Sequence, residues 1–132
     1  MDLKSNLGGG VSIQPGENQS GDGTVNGDWV DCGLLSGPEV FADVALGAIT
    51  GSPTAVSVVY ELQQADDNSG TNAEDCPVKT DVTLDAAKES GIVRAQRSRR
   101  WCRVSAAVAF TGGSSPTVDL GGTVRGQLRE VG

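Results

Sequence analysis

The sequence predicts an all-β fold, a jelly roll or β-sandwich with an extended N-terminal arm, and three observations favour it. Apolar and polar residues alternate with a period of two in six segments, as they do in half-buried strands. Turn signals rich in Gly, Pro and Ser separate these segments. No segment has the 3.6-residue apolar period of a packed helix. With 132 residues, the chain is long enough for one hydrophobic core.

The first element is the arm, which we place at residues 1–26, before a single domain at residues 27–132. Its composition is poor in apolar residues and rich in Gly, Ser, Asn and Gln, which favours an extended segment that becomes ordered against a partner. A plain disordered tail is the alternative. The start of the chain has no pattern of a secretory signal, and no apolar run approaches the ~20 residues of a membrane span. We therefore expect no membrane partner.

Strand candidates follow in chain order after Trp29. The clearest is the segment at 56–63, where Val56, Val58, Tyr60 and Leu62 alternate with other residues. A short stretch at 85–90 has too few apolar residues for a packed helix, so we expect a turn or loop there. The complete set of strand candidates is 40–46, 56–63, 78–84, 92–95, 104–110 and 118–128.

Two turns share a Ser-Pro-Thr pattern, at 50–54 and at 112–117. Proline fixes its own φ and biases the preceding residue towards extended backbone, so this tripeptide suits a turn that enters a strand. A duplicated half-domain is the alternative explanation of the similarity.

The composition argues against catalysis. The chain has no histidine and three cysteines, which removes the Ser-His-Asp and Cys-His systems and leaves too few thiols for a four-thiolate zinc site. The sequence also lacks a phosphate-binding loop and a dinucleotide fingerprint. We expect no enzymatic activity, no cofactor and no metal. An oxygen-rich stretch at 66–75 resembles a calcium loop, but its Gly70 stands at the fifth position instead of the sixth, and a solvated loop is favoured.

The odd number of cysteines fits a protein that folds in a reducing cytoplasm. Cys32 and Cys102 lie in alternating apolar segments, where we expect them to be small core residues. Cys76 follows two acidic residues, which disfavour its thiolate.

Charge is distributed unevenly along the chain. The net charge is −7, but residues 1–78 hold twelve acidic residues and Lys4, a net of −11, while residues 79–132 hold nine basic and five acidic residues, a net of +4. Such polarity suits contact with another copy or with a larger surface. Alternatively, folding brings the halves together and the charges pair within the chain.

The most distinctive local feature is the segment 94–103, with five arginines and one tryptophan. Guanidinium groups form bidentate contacts with carboxylates or phosphates. The acidity elsewhere in the chain argues against nucleic acid, so we favour an acidic protein partner, with a solvated loop that places the tryptophan in the core as the alternative. The candidate partner contacts are Arg94, Arg97, Arg99, Arg100, Trp101 and Arg103.

Four segments resemble the head decoration, or cement, proteins of tailed bacteriophages, which have a jelly-roll fold and are encoded beside the major capsid protein. The segments are Gly27 to Asp31, Leu46 to Thr54, Tyr60 to Asp67 and Arg103 to Val118. They fall in order over about residues 25–125 and are patterns of strands and turns, without reactive residues.

The resemblance implies a non-enzymatic protein, made in the host bacterial cytoplasm, that binds the exterior of the capsid in the virion. It implies the major capsid protein and other copies of this chain, as a dimer or trimer, as partners. We expect residues 1–26 or the segment 94–103 to contact an adjacent subunit. The alternative from another class is a carbohydrate- or receptor-binding β-sandwich module of a phage tail or neck, although such modules usually expose several aromatic rings.

Overall fold

The computed structural model describes residues 7–127. Residues 1–6 and 128–132, which include the start of the predicted arm and the end of the last strand candidate, lie outside the described residues. The strands are β1 (Leu7–Ser20), β2 (Gly23–Asn26), β3 (Val30–Asp31), β4 (Glu39–Thr50), β5 (Ala55–Ala65), β6 (Glu74–Asp75), β7 (Val78–Thr80), β8 (Val82–Leu84), β9 (Ser90–Gln96), β10 (Trp101–Thr111) and β11 (Thr117–Gln127).

The strands form two antiparallel sheets that pack as a β-sandwich. Sheet A has the order β1-β11-β4-β9-β7, and sheet B has the order β2-β10-β5-β6, with β3 paired to β10 and β8 to β5. The first long strand therefore pairs with the last, and the connections from β4 to β5 and from β10 to β11 both cross between the sheets. This is the strand order of a jelly roll. The predicted all-β fold, a jelly roll or β-sandwich, is confirmed.

The core lies between the sheets and follows the predicted alternation. On β5, every second residue from Val56 to Leu62 is buried, and the intervening side chains are only partly exposed. The alternating residues of β4, β10 and β11 complete the same apolar cluster. Tyr60, Leu62 and Leu120 are the largest fully buried side chains among the described residues. The helix candidate at 85–90 is a turn, as expected.

Residues 7–26, which fall in the segment predicted to be an arm, lie in the sandwich as β1 and β2. β1 runs along β11, with irregularities on either side of Ile13, which is buried in the core. The Ser12 hydroxyl accepts a hydrogen bond from the Val104 amide at 2.9 Å and donates one to the Asp28 carbonyl at 2.8 Å. Buried polar groups need such partners, so Ser12 joins β1 to the edge of sheet B.

The strand predicted at 78–84 is two strands in different sheets. β7 pairs with β9 in sheet A, and β8 pairs with β5 in sheet B. The break falls at Asp81, whose carboxylate receives a hydrogen bond from Lys79 at 2.9 Å. The chain thus crosses from one sheet to the other at this point and covers one side of the sandwich.

The two turns with the Ser-Pro-Thr pattern lie against each other at one end of the sandwich. The Ser114 amide donates to the Gly51 carbonyl at 2.8 Å, and the hydroxyls of Thr50 and Thr117 are hydrogen-bonded to each other. Gly51 has a φ of +81°, and a Cβ there would lie 2.6 Å from Pro116 Cα. The close approach of the two turns therefore requires glycine at this position.

Candidate interaction surfaces

The end of the sandwich opposite the paired turns carries most of the predicted arginine contacts. Three loops meet there: residues 32–38 between β3 and β4, residues 66–73 between β5 and β6, and residues 97–100 between β9 and β10. We call this the arginine end. The loop 97–100 connects a strand of sheet A to a strand of sheet B, so its side chains lie where the edges of both sheets meet.

Arg97 binds the backbone of its own chain. Its Nη1 donates to the Arg99 carbonyl at 3.1 Å and its Nη2 to the Gly37 carbonyl at 3.2 Å. Its backbone amide donates to the Pro38 carbonyl at 2.8 Å. The Nε atom is buried without a hydrogen-bond partner among the described residues. Arg97 therefore fixes the loop that precedes β4.

Arg99 and Arg100 form ion pairs with acidic residues of the same chain. Arg99 contacts Asp66, and its Nε lies 3.0 Å from Glu74 Oε1. Arg100 donates hydrogen bonds from Nε and Nη2 to the two carboxylate oxygens of Asp31, at 2.8 and 2.7 Å. The hydrogen bond from Arg100 is the main reason that the pKa of Asp31 is lowered to about 2. Both guanidinium groups thus use their forked geometry inside the molecule.

Arg103 and Trp101 face outward from sheet B. The Arg103 guanidinium lies 4.3 Å from the centre of the Trp29 ring, and its Nε donates to Gln63 Oε1 at 2.9 Å. Its pKa is lowered by burial. Trp101 is partly exposed, with Arg100 at 5.8 Å from its ring centre. Each tryptophan ring is therefore accompanied by a guanidinium, an arrangement that cation–π attraction stabilises.

Arg94 lies elsewhere, on the outer face of sheet A. It stands opposite Phe41 and Thr80 in the strand register, with its guanidinium 5.3 Å from the centre of the Phe41 ring. In the described part of the chain it has no ion pair and no side-chain hydrogen bond. The structure thus separates the six predicted contacts: five lie at or beside the arginine end, and Arg94 lies on another surface.

The outer face of sheet A contains an open groove of about 730 Å³. It forms because adjacent positions on three strands carry small residues, namely Ala45 on β4, Ser90 on β9 and Gly121 on β11. Ile92 and Arg94 stand on one side of the groove and Pro15 of β1 on the other. A smaller cavity of about 170 Å³ lies next to Arg94 on the arginine-end side, between Phe41 and Val78.

The oxygen-rich stretch at 66–75 consists of a loop at 66–73, held by its own side chains, and the short strand β6. Asp67 accepts hydrogen bonds from the amides of Ser69 and Thr71 at 2.9 and 3.1 Å, and Asp66 accepts one from Asn72 at 2.7 Å. Hydrogen bonds lower the pKa of both carboxyls. Within residues 7–127, no group of three or more His, Cys, Asp or Glu side chains is arranged to hold a metal ion.

The three cysteines are buried free thiols. Hydrogen bonding to the thiols of Cys32 and Cys76, together with burial, raises the pKa of Cys102. The predicted core positions of Cys32 and Cys102 are confirmed. Cys76 is also in the core. Nothing in the sequence indicated this burial, because the two residues before it, Glu74 and Asp75, are acidic and exposed.

Two polar features were not predicted. Arg125 forms an ion pair with Asp43 on the outer face of sheet A, and Gln64 is fully buried, where it accepts a hydrogen bond from the Ser98 amide at 2.7 Å. The alternation of β4 and β11 placed Asp43 and Arg125 on outward positions, but only the pairing of these strands brings them together.

Comparisons with known proteins add no family to this description. No protein-family model matches the sequence, and no curated protein matches it. Among the described residues there is also no helix of the length and apolar character that crossing a membrane requires.

Proposed function

We propose that this chain is a non-enzymatic structural protein of a phage virion, which binds the capsid exterior and cements neighbouring major capsid subunits. The observation that carries the proposal is the position of the segments that resemble cement proteins. Residues 46–54 and 103–118 contain two of the connections that cross between the sheets, and these two connections contact each other. The resemblance thus falls on strands and connections of the jelly roll that lie against each other in the fold.

The state of the aromatic rings favours this role over a sugar-binding module. A stacking platform needs a free ring face. Tyr60 is buried and Phe110 packs against the core, while Arg94 and Arg125 both approach Phe41, at 5.3 and 5.5 Å. Trp29 and Trp101 have their own arginines. All five aromatic residues of the chain are therefore engaged by its own residues.

The capsid itself provides the test. Capsids assembled from the major capsid protein of the same genome, without this chain, are mixed with the full-length protein and sedimented. We expect the chain to sediment with the capsids at a fixed stoichiometry and to raise the temperature at which the shells open. Capsids already saturated with the chain serve as the control and should bind no more. A chain that stays in the supernatant, or that is found on tails of purified virions, contradicts the proposal.

A glycan array with the same protein tests the alternative. Binding to a defined oligosaccharide, without binding to capsids, would favour the carbohydrate-binding module. Deletion of the whole predicted arm is unsuited to either test, because it removes β1 and takes Ile13 from the core. Reversal of Arg97, Arg99 and Arg100 is equally unsuited, since it breaks the bonds of Arg97 to the backbone and places new carboxylates against Asp66 and Asp31.

A further inference from the structure

Four large apolar side chains are exposed in the part of the chain that the structure describes, and they fall on two surfaces. Val11, Val78 and Ile92 lie on the outer face of sheet A, where polar residues separate Val11 from Ile92. Leu34 lies at the arginine end and is the most exposed of the four, at 70% against 56% for Val78. A single exposed leucine is common on protein surfaces, so the backbone that carries it and its neighbours decide what it can bind.

The loop that carries Leu34 is fixed on both sides of this residue. Before it, the Cys32 amide donates to the Arg100 carbonyl at 2.8 Å, and after it the Ser36 amide donates to the last described residue of β11 at 2.6 Å. The adjacent Leu35 is 2% exposed and belongs to the core. The backbone therefore holds Leu34 in solvent, and a partner that binds it has little loop entropy to remove.

Arg100 and Trp101 lie next to this loop on the surface. A Cβ added at Gly33 would lie 2.9 Å from Arg100 Nε, so the arginine runs along the residue that precedes Leu34. Its guanidinium is 5.8 Å from the centre of the Trp101 ring, and its side chain is 61% exposed. Asp31 binds its Nε and Nη2, whereas Nη1 has no hydrogen-bond partner among the described residues. Tryptophan and arginine are enriched among the residues that contribute most to binding at protein interfaces.

We propose that Leu34 is the anchor by which this chain binds the major capsid subunit. It enters an apolar pocket of that subunit, while Arg100 donates from Nη1 to an acceptor oxygen at the rim of the pocket. This inference rests on the proposed function and adds the surface through which the chain performs it. Of the six contacts that the sequence predicted, it retains Arg100 and Trp101, and it adds a residue that the sequence did not single out.

Sedimentation of the full-length protein with capsids assembled without it, at increasing capsid concentration, measures the apparent affinity. Leu34→Asp should weaken binding by about tenfold or more, because burial of a leucine side chain contributes at least this factor. Leu34→Met keeps an apolar side chain of similar size and should bind like the wild type. Arg100→Lys keeps the charge but lacks the forked donors and should weaken binding several-fold. Val78→Asp makes a matched change on the other surface and should bind like the wild type.

Urea unfolding of each variant checks that it is folded, which the exposure of Leu34 and Val78 favours. If Leu34→Asp binds as the wild type does, this inference is overturned while the proposed function stands. Equal weakening by Leu34→Asp and Val78→Asp also overturns it, since the added charge alone then explains the loss. An Arg100→Lys variant with wild-type affinity overturns the role of Arg100. A wild-type protein that does not sediment with capsids overturns this inference and the proposed function together.

Discussion

The arginines of segment 94–103 show what a residue's chemistry predicts and what it leaves open. Their number predicted a charged contact surface, but their partners depend on which sheet each one joins. Arg94 lies on β9 of sheet A and Arg103 on β10 of sheet B, and the loop between them crosses the edge of the sandwich. Residues that are close along the chain therefore do not all lie on one surface. Partners such as Asp31 and Asp66 are remote in sequence and had no local signal.

Tyr60 gives a prediction at the same scale. Its hydroxyl donates a hydrogen bond to the Ala45 carbonyl at 2.8 Å, and burial raises its pKa to about 12. Because it is the single tyrosine of the chain, the ultraviolet absorbance of tyrosinate reports this residue alone. We expect a titration midpoint near pH 12 in the folded protein and near ~10 in urea.

The sign of the linked effect follows from these two values. Between about pH 10 and about pH 12 the unfolded chain loses this proton and the folded chain keeps it, so stability falls as the pH rises through that range. Tyr60→Phe should remove this part of the pH dependence, at the expense of the hydrogen bond to Ala45. A midpoint near pH 10 under conditions where circular dichroism shows a folded protein would contradict the burial of the hydroxyl.

At the scale of the elements, the period-two pattern predicted the long strands because their inner residues are consistently apolar. β4, β5, β10 and β11 extend the predicted segments by only a few residues. The sequence did not predict β1, because its glycines and the polar stretch Gln14–Glu17 interrupt the alternation. Ser12 and Ile13 are its buried side chains among those described. The position of β1 is fixed by its backbone pairing with β11, a strand that is distant in sequence. Pairing with a distant strand cannot be derived from a local pattern.

The glycines of the turns allow a matched prediction. Gly16 and Gly113 both have a φ of +86°. An added Cβ meets nothing within 4 Å at Gly16, but at Gly113 it lies 2.8 Å from the Gly51 carbonyl oxygen and 2.9 Å from Pro53 Cα. Alanine at either site incurs the left-handed backbone cost of about 1–2 kcal/mol. At Gly113, the crowding should add a further ~1–3 kcal/mol.

Urea unfolding of Gly16→Ala and Gly113→Ala measures the difference directly. The comparison isolates crowding because the backbone angle is the same in both variants. The larger loss at Gly113 is expected because both turns with the Ser-Pro-Thr pattern must separate to admit the methyl group. Equal losses would show that the two turns are not in firm contact and that the end of the sandwich they form can yield.

At the scale of the whole molecule, part of the charge polarity of the sequence is a pattern of internal pairing. Acidic residues of the first half pair with basic residues of the second half at five ion pairs: Asp31–Arg100, Asp43–Arg125, Glu61–Lys79, Asp66–Arg99 and Glu74–Arg99. From the sequence, the two sets of charges could either contact another molecule or pair within the chain. The jelly-roll order decides between them for these residues, because it places strands of the two halves next to each other in both sheets.

Arg99 is the centre of this network, since it contacts two acidic residues of the other half. Its side chain is 30% exposed, and those of Asp66 and Glu74 are 42% and 51% exposed, so we expect the pairs to contribute little and to be sensitive to salt. Arg99→Gln should lower the urea midpoint slightly at low ionic strength. Lys88→Gln makes the same change in net charge at a lysine without an ion pair among the described residues, and should lower it less.

Salt and pH separate the network from a general charge effect. The screening length falls from about 10 Å at about 0.1 M salt to about 3 Å at about 1 M, so the difference between Arg99→Gln and wild type should shrink as salt is added. Hydrogen bonds from Asn72 and Arg99 lower the pKa of Asp66, and hydrogen bonds from Gln64 and Arg99 lower the pKa of Glu74. Their stabilisation is therefore present above the usual carboxyl range and lost as the pH falls below it, and the difference between the two proteins should close there too. If Arg99→Gln and Lys88→Gln respond alike to salt and to acid, the ion pairs between the halves do not contribute to stability, and the polarity of the sequence must be explained by contacts outside the chain.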